Sequence, residues 1–219
     1  MDTLPAPARP ATPTSSRPPK GERTAVRILD VAEELFAQGG YAATSLRDIA
    51  VQVGIQQPGL YRYYSGKEEL YRQVFERALR PLFDLWDGIL AQPEPSAMPA
   101  QLPADLTDRL IDILALHPNI ARLLLRAATG PATRADEIAG QWLGQLVDYG
   151  RRLTRKAGYT VDDSRLALQV IAVFNVLFGY FAAAPLLSAL AGAEPDDPAL
   201  LTAQKALARG LVASFALPG

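Results

Sequence analysis

Residues 41–70 read YAATSLRDIAVQVGIQQPGLYRYYSGKEEL, and this stretch decides the fold. Thr44 and Ser45 offer N-caps to a short helix, with Asp48 three residues after Ser45 as the reciprocal partner of a capping box. Leu46, Ile49, Ala50 and Val53 then face inward. Gly54 falls where a tight helix-to-helix turn needs positive φ, and Ile55 plugs the core beneath it. The next segment, Gln56 to Arg62, carries Pro58 in its first turn, where the missing N–H costs little, and points Leu60 inward. Gln57, Gly59, Tyr61 and Arg62 are left outside. Ser65 and Glu68 form a second capping box, and Lys67 occupies the first turn of the helix that follows. A cation there opposes the helix dipole, unless it and the free N–H groups jointly hold an anion.

The outside set has the chemistry of a recognition helix. The major groove admits one helix and is read by side chains with paired donors and acceptors. Gln57 can bond adenine bidentately, Arg62 or Arg47 can fork onto guanine, and the Tyr61 hydroxyl suits a phosphate oxygen, as does Lys67. Gly59 would let the backbone approach closely. Packing offers a competing account of the aromatic residues: Tyr64 is expected to lie buried between helices, whereas Tyr61 and Lys67 sit on the face that Leu60 leaves outside. Arg47 is open to either reading.

Taken together, Ile28-Leu29, Ala32, Leu35-Phe36, Gly40-Tyr41, Thr44-Ser45, Ile49-Ala50, Gly54-Ile55, Gly59-Leu60-Tyr61, Tyr63-Tyr64, Lys67 and Leu70 form an ordered set that resembles the DNA-binding domain of the TetR (tetracycline-repressor) family of bacterial regulators. The resemblance implies that Thr44, Ser45, Arg47, Gln56, Gln57, Pro58, Gly59, Tyr61, Arg62, Tyr63 and Lys67 face DNA, and that the remainder binds a small effector and dimerises. Gln56 stands where Ser commonly caps the recognition helix, and Tyr63 and Tyr64 stand where His and Phe are frequent.

Upstream, Ala25, Ile28, Leu29, Ala32, Leu35 and Phe36 recur at helical spacing up to Gly39-Gly40. Residues 1–20 are rich in Pro, Ala and Ser, lack the apolar core of a secretory signal, and read as a disordered arm. Residues 1–70 carry eight Lys/Arg against eight Asp/Glu, and the whole chain has a net charge of −1. Bulk charge therefore lends no support to nucleic-acid binding, which must rest on placement.

Downstream, Leu70, Val74, Ala78, Leu82, Leu85, Trp86 and Ile89 mark a helix from Gly66 to about Leu90, with Pro81 expected to kink it. Residues 91–103 hold four prolines and read as a loop. Further helices are expected near 104–116, 118–129, 132–157, 162–191 and 198–216, with Thr133 and Asp136 as a capping box and Ile138, Trp142, Leu146, Tyr149 and Leu153 as an inner stripe. No strand pattern is present, so the fold class is all-α. The division expected is an arm (1–20), a helix-turn-helix reader (21–70), and an effector-binding and dimerisation domain (71–219).

Residues 166–193 are uncharged, which raises a membrane span; Gln169, Asn175, Gly179 and Pro185 argue instead for a helix buried on both sides. The last helix offers the matching surface, with Leu200, Leu207, Leu211 and Phe215 on one stripe and Ala203, Ala206, Gly210 and Ala213 allowing close approach. Two such helices from each of two subunits would make a homodimer interface, in which Asn175 sets register or touches a ligand. Phe83, Trp86, Leu114, Arg122, Trp142, Tyr149, Phe174, Asn175 and Phe178 are the candidate walls and polar anchors of a pocket for a small lipophilic effector, although packing accounts for the apolar ones equally well.

The chain has no cysteine and one histidine, His117. No thiolate metal site can form, no metal or cofactor is expected, and a reducing, cytoplasmic setting fits. With neither a His-containing dyad nor a phosphate-binding glycine loop, an enzyme is disfavoured. The reading is a ligand-responsive repressor on a palindromic operator; the alternative is an effector-independent architectural DNA binder or helical interaction module.

Overall fold

A computed structural model describes residues 19–91, 102–129, 134–156 and 162–214. Among the described residues every regular element is a helix: α1 (Lys20–Ala43), α2 (Leu46–Val53), α3 (Gln57–Leu60), α4 (Lys67–Ala91), α5 (Leu102–Leu116), α6 (Pro118–Thr129), α7 (Arg134–Lys156), α8 (Asp163–Ala182), α9 (Ala184–Ala191) and α10 (Pro198–Ser214). The expected arm up to Arg17, most of the proline-rich loop, the Thr133–Asp136 capping box and Phe215 lie outside what is described.

The first three helices pack around Ile28, Ala32, Phe36, Ile49, Ala50 and Leu60, each almost completely buried. The regular part of α1 ends where the Gly39-Gly40 pair predicts, because Gly40 adopts φ 78°, ψ 168° inside the assigned helix. That region is open to glycine alone.

α4 runs without a break through Pro81, which lies on its exposed side. Its buried set is wider than one stripe: Tyr71, Phe75, Leu79 and Phe83 join Leu70, Val74, Ala78, Leu82 and Trp86. The reason is two-sided packing, against α1 on one flank and α7 and α5 on the other. An aromatic series follows this helix from the reader into the body, with ring centroids 4.9 Å apart for Phe36–Tyr71, 5.2 Å for Tyr71–Phe75, 6.4 Å for Phe75–Trp142 and 5.8 Å for Phe83–Trp142.

The single helix expected over 162–191 is two. α8 ends at Ala182, and Pro185 enters the first turn of α9. Pro185 has no N–H to donate back to Phe181, so continuing the helix would forfeit a bond and crowd the preceding turn. Asp162 caps α8, accepting from the Ser164 and Arg165 N–H groups at 3.0 Å each. Ser164–Ala182 is long and apolar enough to cross a membrane by composition. Here it packs against α5, α6, α7 and α10 through Leu166, Leu177, Phe178 and Phe181. Burial on both sides is not what a single chain shows, since Leu168 and Ile171 are 69% and 56% exposed. Asn175 is likewise exposed in the single chain, and its amide donates to the Ile171 carbonyl at 2.8 Å.

The glycine pair makes a test of this backbone. Gly40→Ala should lower stability by about 1–3 kcal/mol, while Gly39→Ala, one residue earlier on regular helix, should raise it by roughly 0.5 kcal/mol. Urea denaturation of the two variants measures both; equal effects would contradict the assigned turn.

Candidate nucleic-acid interface and the cavity behind it

α2 begins at a complete capping box. The Ser45 hydroxyl accepts the Asp48 N–H at 3.1 Å, and the Asp48 carboxylate accepts the Ser45 N–H at 3.2 Å. It ends at Gly54, which takes φ 80°, ψ 34° and sends its N–H to the Ala50 and Val51 carbonyls. This left-handed residue turns the chain so sharply that α3 starts three residues later. Leu60 is fully buried and anchors α3 from below. Arg62, Tyr63 and Tyr64 close a turn on the carbonyls of Gly59 and Leu60.

That anchor sets what faces outward. Tyr61 is 51% and Tyr63 37% exposed. Gln56, Pro58, Arg62, Arg47 and Ser45 are exposed, and Gln57 and Gly59 are partly so. A Cβ added at Gly59 would meet nothing within 4 Å. The fold itself therefore does not demand glycine there. Tyr64 is buried as expected, and its hydroxyl donates to the Ala25 carbonyl at 3.2 Å. Burial is the main cause that raises its pKa, with Arg77 pulling the other way.

Two expected roles change, and Lys67 gains contacts that spacing did not indicate. Thr44 is not on this face: it is buried, and its hydroxyl lies 3.0 Å from the Leu35 carbonyl and 2.9 Å from that of Gly40. The last carbonyls of a helix lack intrahelical donors, and Thr44 supplies one. Ser65 pairs with Glu69 rather than Glu68, through both its N–H and its hydroxyl. These two bonds, the hydroxyl's first, hold the Glu69 carboxyl below its ordinary pKa, while Glu68 pairs with Arg72 at 3.4 Å. Lys67 folds back across the reader, with its ammonium 4.3 Å from the Tyr41 ring centroid and 3.4 Å from the Ala42 carbonyl. Partial burial lowers its pKa. The aromatic face and the carbonyl at the end of α1 offset its unfavourable place at a helix N-terminus.

Behind the reader, a charged contact joins three elements that sequence spacing does not connect. Glu33 of α1 is buried and takes Arg77 of α4 at 2.8 Å and the His117 ring at 3.3 Å, at the break between α5 and α6. Arg77 also holds Asp30 at 2.6 Å. His117 is thus a helix-end residue, as expected, and it touches the reader. Arg126 of α6 reaches the same region, its guanidinium lying against Gly40.

A cavity of about 370 Å³ lies among α4, α5, α6, α7, α8 and α10. Of the expected pocket residues, Trp86, Phe174 and Phe178 line it. The others are placed elsewhere. Phe83, Leu114 and Trp142 are core, Phe83 and Trp142 stacking with planes 6° apart. Tyr149 donates its hydroxyl to Asp87 at 2.7 Å, a bond that leads the causes raising its pKa. Arg122 bonds Asn119 at 3.3 Å, and Asn175 points out. Leu106, Thr107, Leu110 and Gln169 form walls that the sequence reading missed. Helical spacing can mark such residues as inward, but it does not tell a filled interior from an open one.

Residues 28–74 match the family described as bacterial regulatory proteins of the tetR family. The match lies within α1–α4, over the reader and the start of the helix that leaves it. The chain is similar to the biofilm operon icaADBC negative transcriptional regulator IcaR of Staphylococcus aureus, 26% identical over 144 residues that span 65% of this chain and 72% of that protein. It is also similar to the HTH-type transcriptional regulator Mb3439c of Mycobacterium bovis, 32% identical over 104 residues, 48% of this chain and 49% of that one. A solved TetR-family regulator from Bordetella parapertussis shares the fold at a TM-score of 0.63, with 18% identity over 85% of this chain and 94% of its own. What the chain shares with the family model is the segment 28–74, the turn-bearing reader described above.

Thr44 separates a structural role from a contact. Thr44→Val removes the donor to Leu35 and Gly40 and should cost about 1–3 kcal/mol of stability. Urea denaturation reads this; an undiminished midpoint would contradict the buried role.

Proposed function

We propose that the chain is a homodimeric, cytoplasmic repressor that binds a palindromic operator and is released when a small lipophilic effector fills the cavity. The observation that carries the reading is the turn at 57–63, held from beneath by Leu60 so that Tyr61, Arg62 and Tyr63 project outward. Residues 21–70 act as the reader and 71–219 as the effector and dimer domain, with α4 crossing between them. Arg47, Gln57 and Arg62 read bases; Ser45, Gln56, Tyr61, Tyr63 and Lys67 hold phosphates, with Pro58 and Gly59 keeping the approach close. The reader's charge is balanced, so these few groups supply the electrostatic attraction.

Dimerisation through α8 and α10 is supported by their outer faces. Leu168, Ile171 and Leu207 are exposed beside small exposed residues Ala203, Ala206 and Gly210. A second copy would cover this surface and place two readers on one face. The cavity favours effector control over an architectural role, for which a filled core would serve. A hundredfold loosening of DNA requires the effector to prefer the non-binding conformer by roughly 3 kcal/mol.

Selection of bound sequences from random duplex DNA tests the reading. Enrichment of an inverted repeat is expected, and no enrichment would contradict it. On the selected duplex, Arg62→Ala should weaken binding by about 1–3 kcal/mol if it reads a base, whereas Lys67→Ala should reduce the salt slope by about 1. Unchanged affinity and slope in both would remove their assigned roles.

A further inference from the structure

Among the described residues the cavity wall contains no charged side chain. Its polar side chains are Thr107 and Gln169, and the rest of the lining is aliphatic, aromatic or glycine. Thr107 is buried and already engaged within the chain. Gln169 on α8 is partly buried and lines the cavity with a carboxamide that can both donate and accept. Trp86, also on the wall, keeps its indole N–H buried with no acceptor.

We infer that this cavity selects an uncharged, largely apolar ligand with a single hydroxyl, keto or ester group directed to Gln169, and discriminates against the carboxylate of the same carbon skeleton. This rests on the proposal that the cavity is the effector site and specifies its chemistry. An ionised carboxylate carried into this lining leaves water without meeting a cation, and such a group either pays the desolvation or stays protonated. A neutral oxygen asks only for one hydrogen bond, which the Gln169 amide supplies. The nearby arginines do not change this. Arg122 is held by Asn119, Arg126 lies against Gly40, and Arg151 and Arg152, on the same helix as several wall residues, do not line the cavity. Gln169 is on this view the residue that sets specificity, since its amide can both donate to and accept from a neutral oxygen, whereas the Trp86 indole N–H can only donate.

The full-length protein carries its own reporter, because Trp86 lines the cavity and the chain has just two tryptophans. Tryptophan fluorescence is followed while primary alcohols from hexyl to dodecyl, and the matching carboxylates, are added at neutral pH, the alcohols below their solubility limits and the carboxylates below their micellar concentrations. The best alcohol should bind at least roughly tenfold more tightly than its carboxylate, a difference of one decade in Kd. Gln169→Leu should weaken the alcohol severalfold, and Gln169→Arg should narrow or invert the preference by giving the carboxylate a partner. Circular dichroism and thermal melting confirm that both variants fold. Equal or tighter carboxylate binding in the wild type would overturn the inference, as would the absence of binding by every alcohol in the series or indifference to both Gln169 variants. The binding assay contains no DNA. If alcohols are preferred yet leave operator binding intact, the selectivity stands and the release mechanism falls; if carboxylates are preferred and release the operator, the reverse holds.

Discussion

Everything in this structure depends on α4 being buried along two flanks at once. A helix that packs on one side can carry a single stripe; Lys67–Ala91 instead buries Leu70, Tyr71, Val74, Phe75, Ala78, Leu79, Leu82, Phe83 and Trp86. Its N-terminal half closes the core of the small reader, which is too short to bury much surface alone. Its C-terminal half forms part of the cavity wall through Trp86. Between them the rings of Tyr71, Phe75 and Phe83 meet Trp142 of α7, so the two ends of α4 share one continuous apolar core. Because such interiors are close-packed, a shift forced at Trp86 has little slack in which to dissipate. The Glu33–Arg77–His117 contact gives α4 a second, polar attachment to α1 and to the α5–α6 break.

The reader is a case in which net charge misleads and placement informs. Its acids and bases balance, and several are committed to the fold: Asp30 and Glu33 hold Arg77, Asp48 caps α2, and Glu69 closes on Ser65. These carboxylates are engaged with protein groups, while Arg47 and Arg62 stand exposed. Lys67 is intermediate, a cation partly covered by the Tyr41 ring yet with donors beyond the one given to Ala42. Local field, rather than total charge, is what a phosphate would meet.

Local chemistry was legible in the sequence and long-range geometry was not. The Ser45–Asp48 box, the left-handed Gly54 and Gly40, and the anchor at Leu60 each follow from requirements set within a few residues, and the structure has all four. Glu69 took the place read for Glu68 because adjacent acids can reach the same cap, and the spacing does not choose between them. Thr44 was misread for a related reason: its hydroxyl lies equally near the start of α2 and the end of α1, and the orphan carbonyls of α1 claimed it. The pocket was hardest. Helical phase identified Trp142 as inward and Phe83 was a candidate wall, but only packing reveals that they stack on each other and leave the void to Leu106, Leu110 and Gln169. α8 is apolar on nearly every side, so its phase could not be read, and Asn175, one of the candidate polar anchors, does not line the cavity.

The central claim is that one helix couples the cavity to the reader. Coupling between two sites is reciprocal, so it can be read from the cavity alone. The most direct measurement is the affinity of the protein for a cavity-filling ligand, by tryptophan fluorescence, without DNA and with a saturating selected operator. The account predicts that the operator weakens ligand binding by about a hundredfold, the same factor by which the ligand weakens operator binding. The same affinity in both conditions would contradict it.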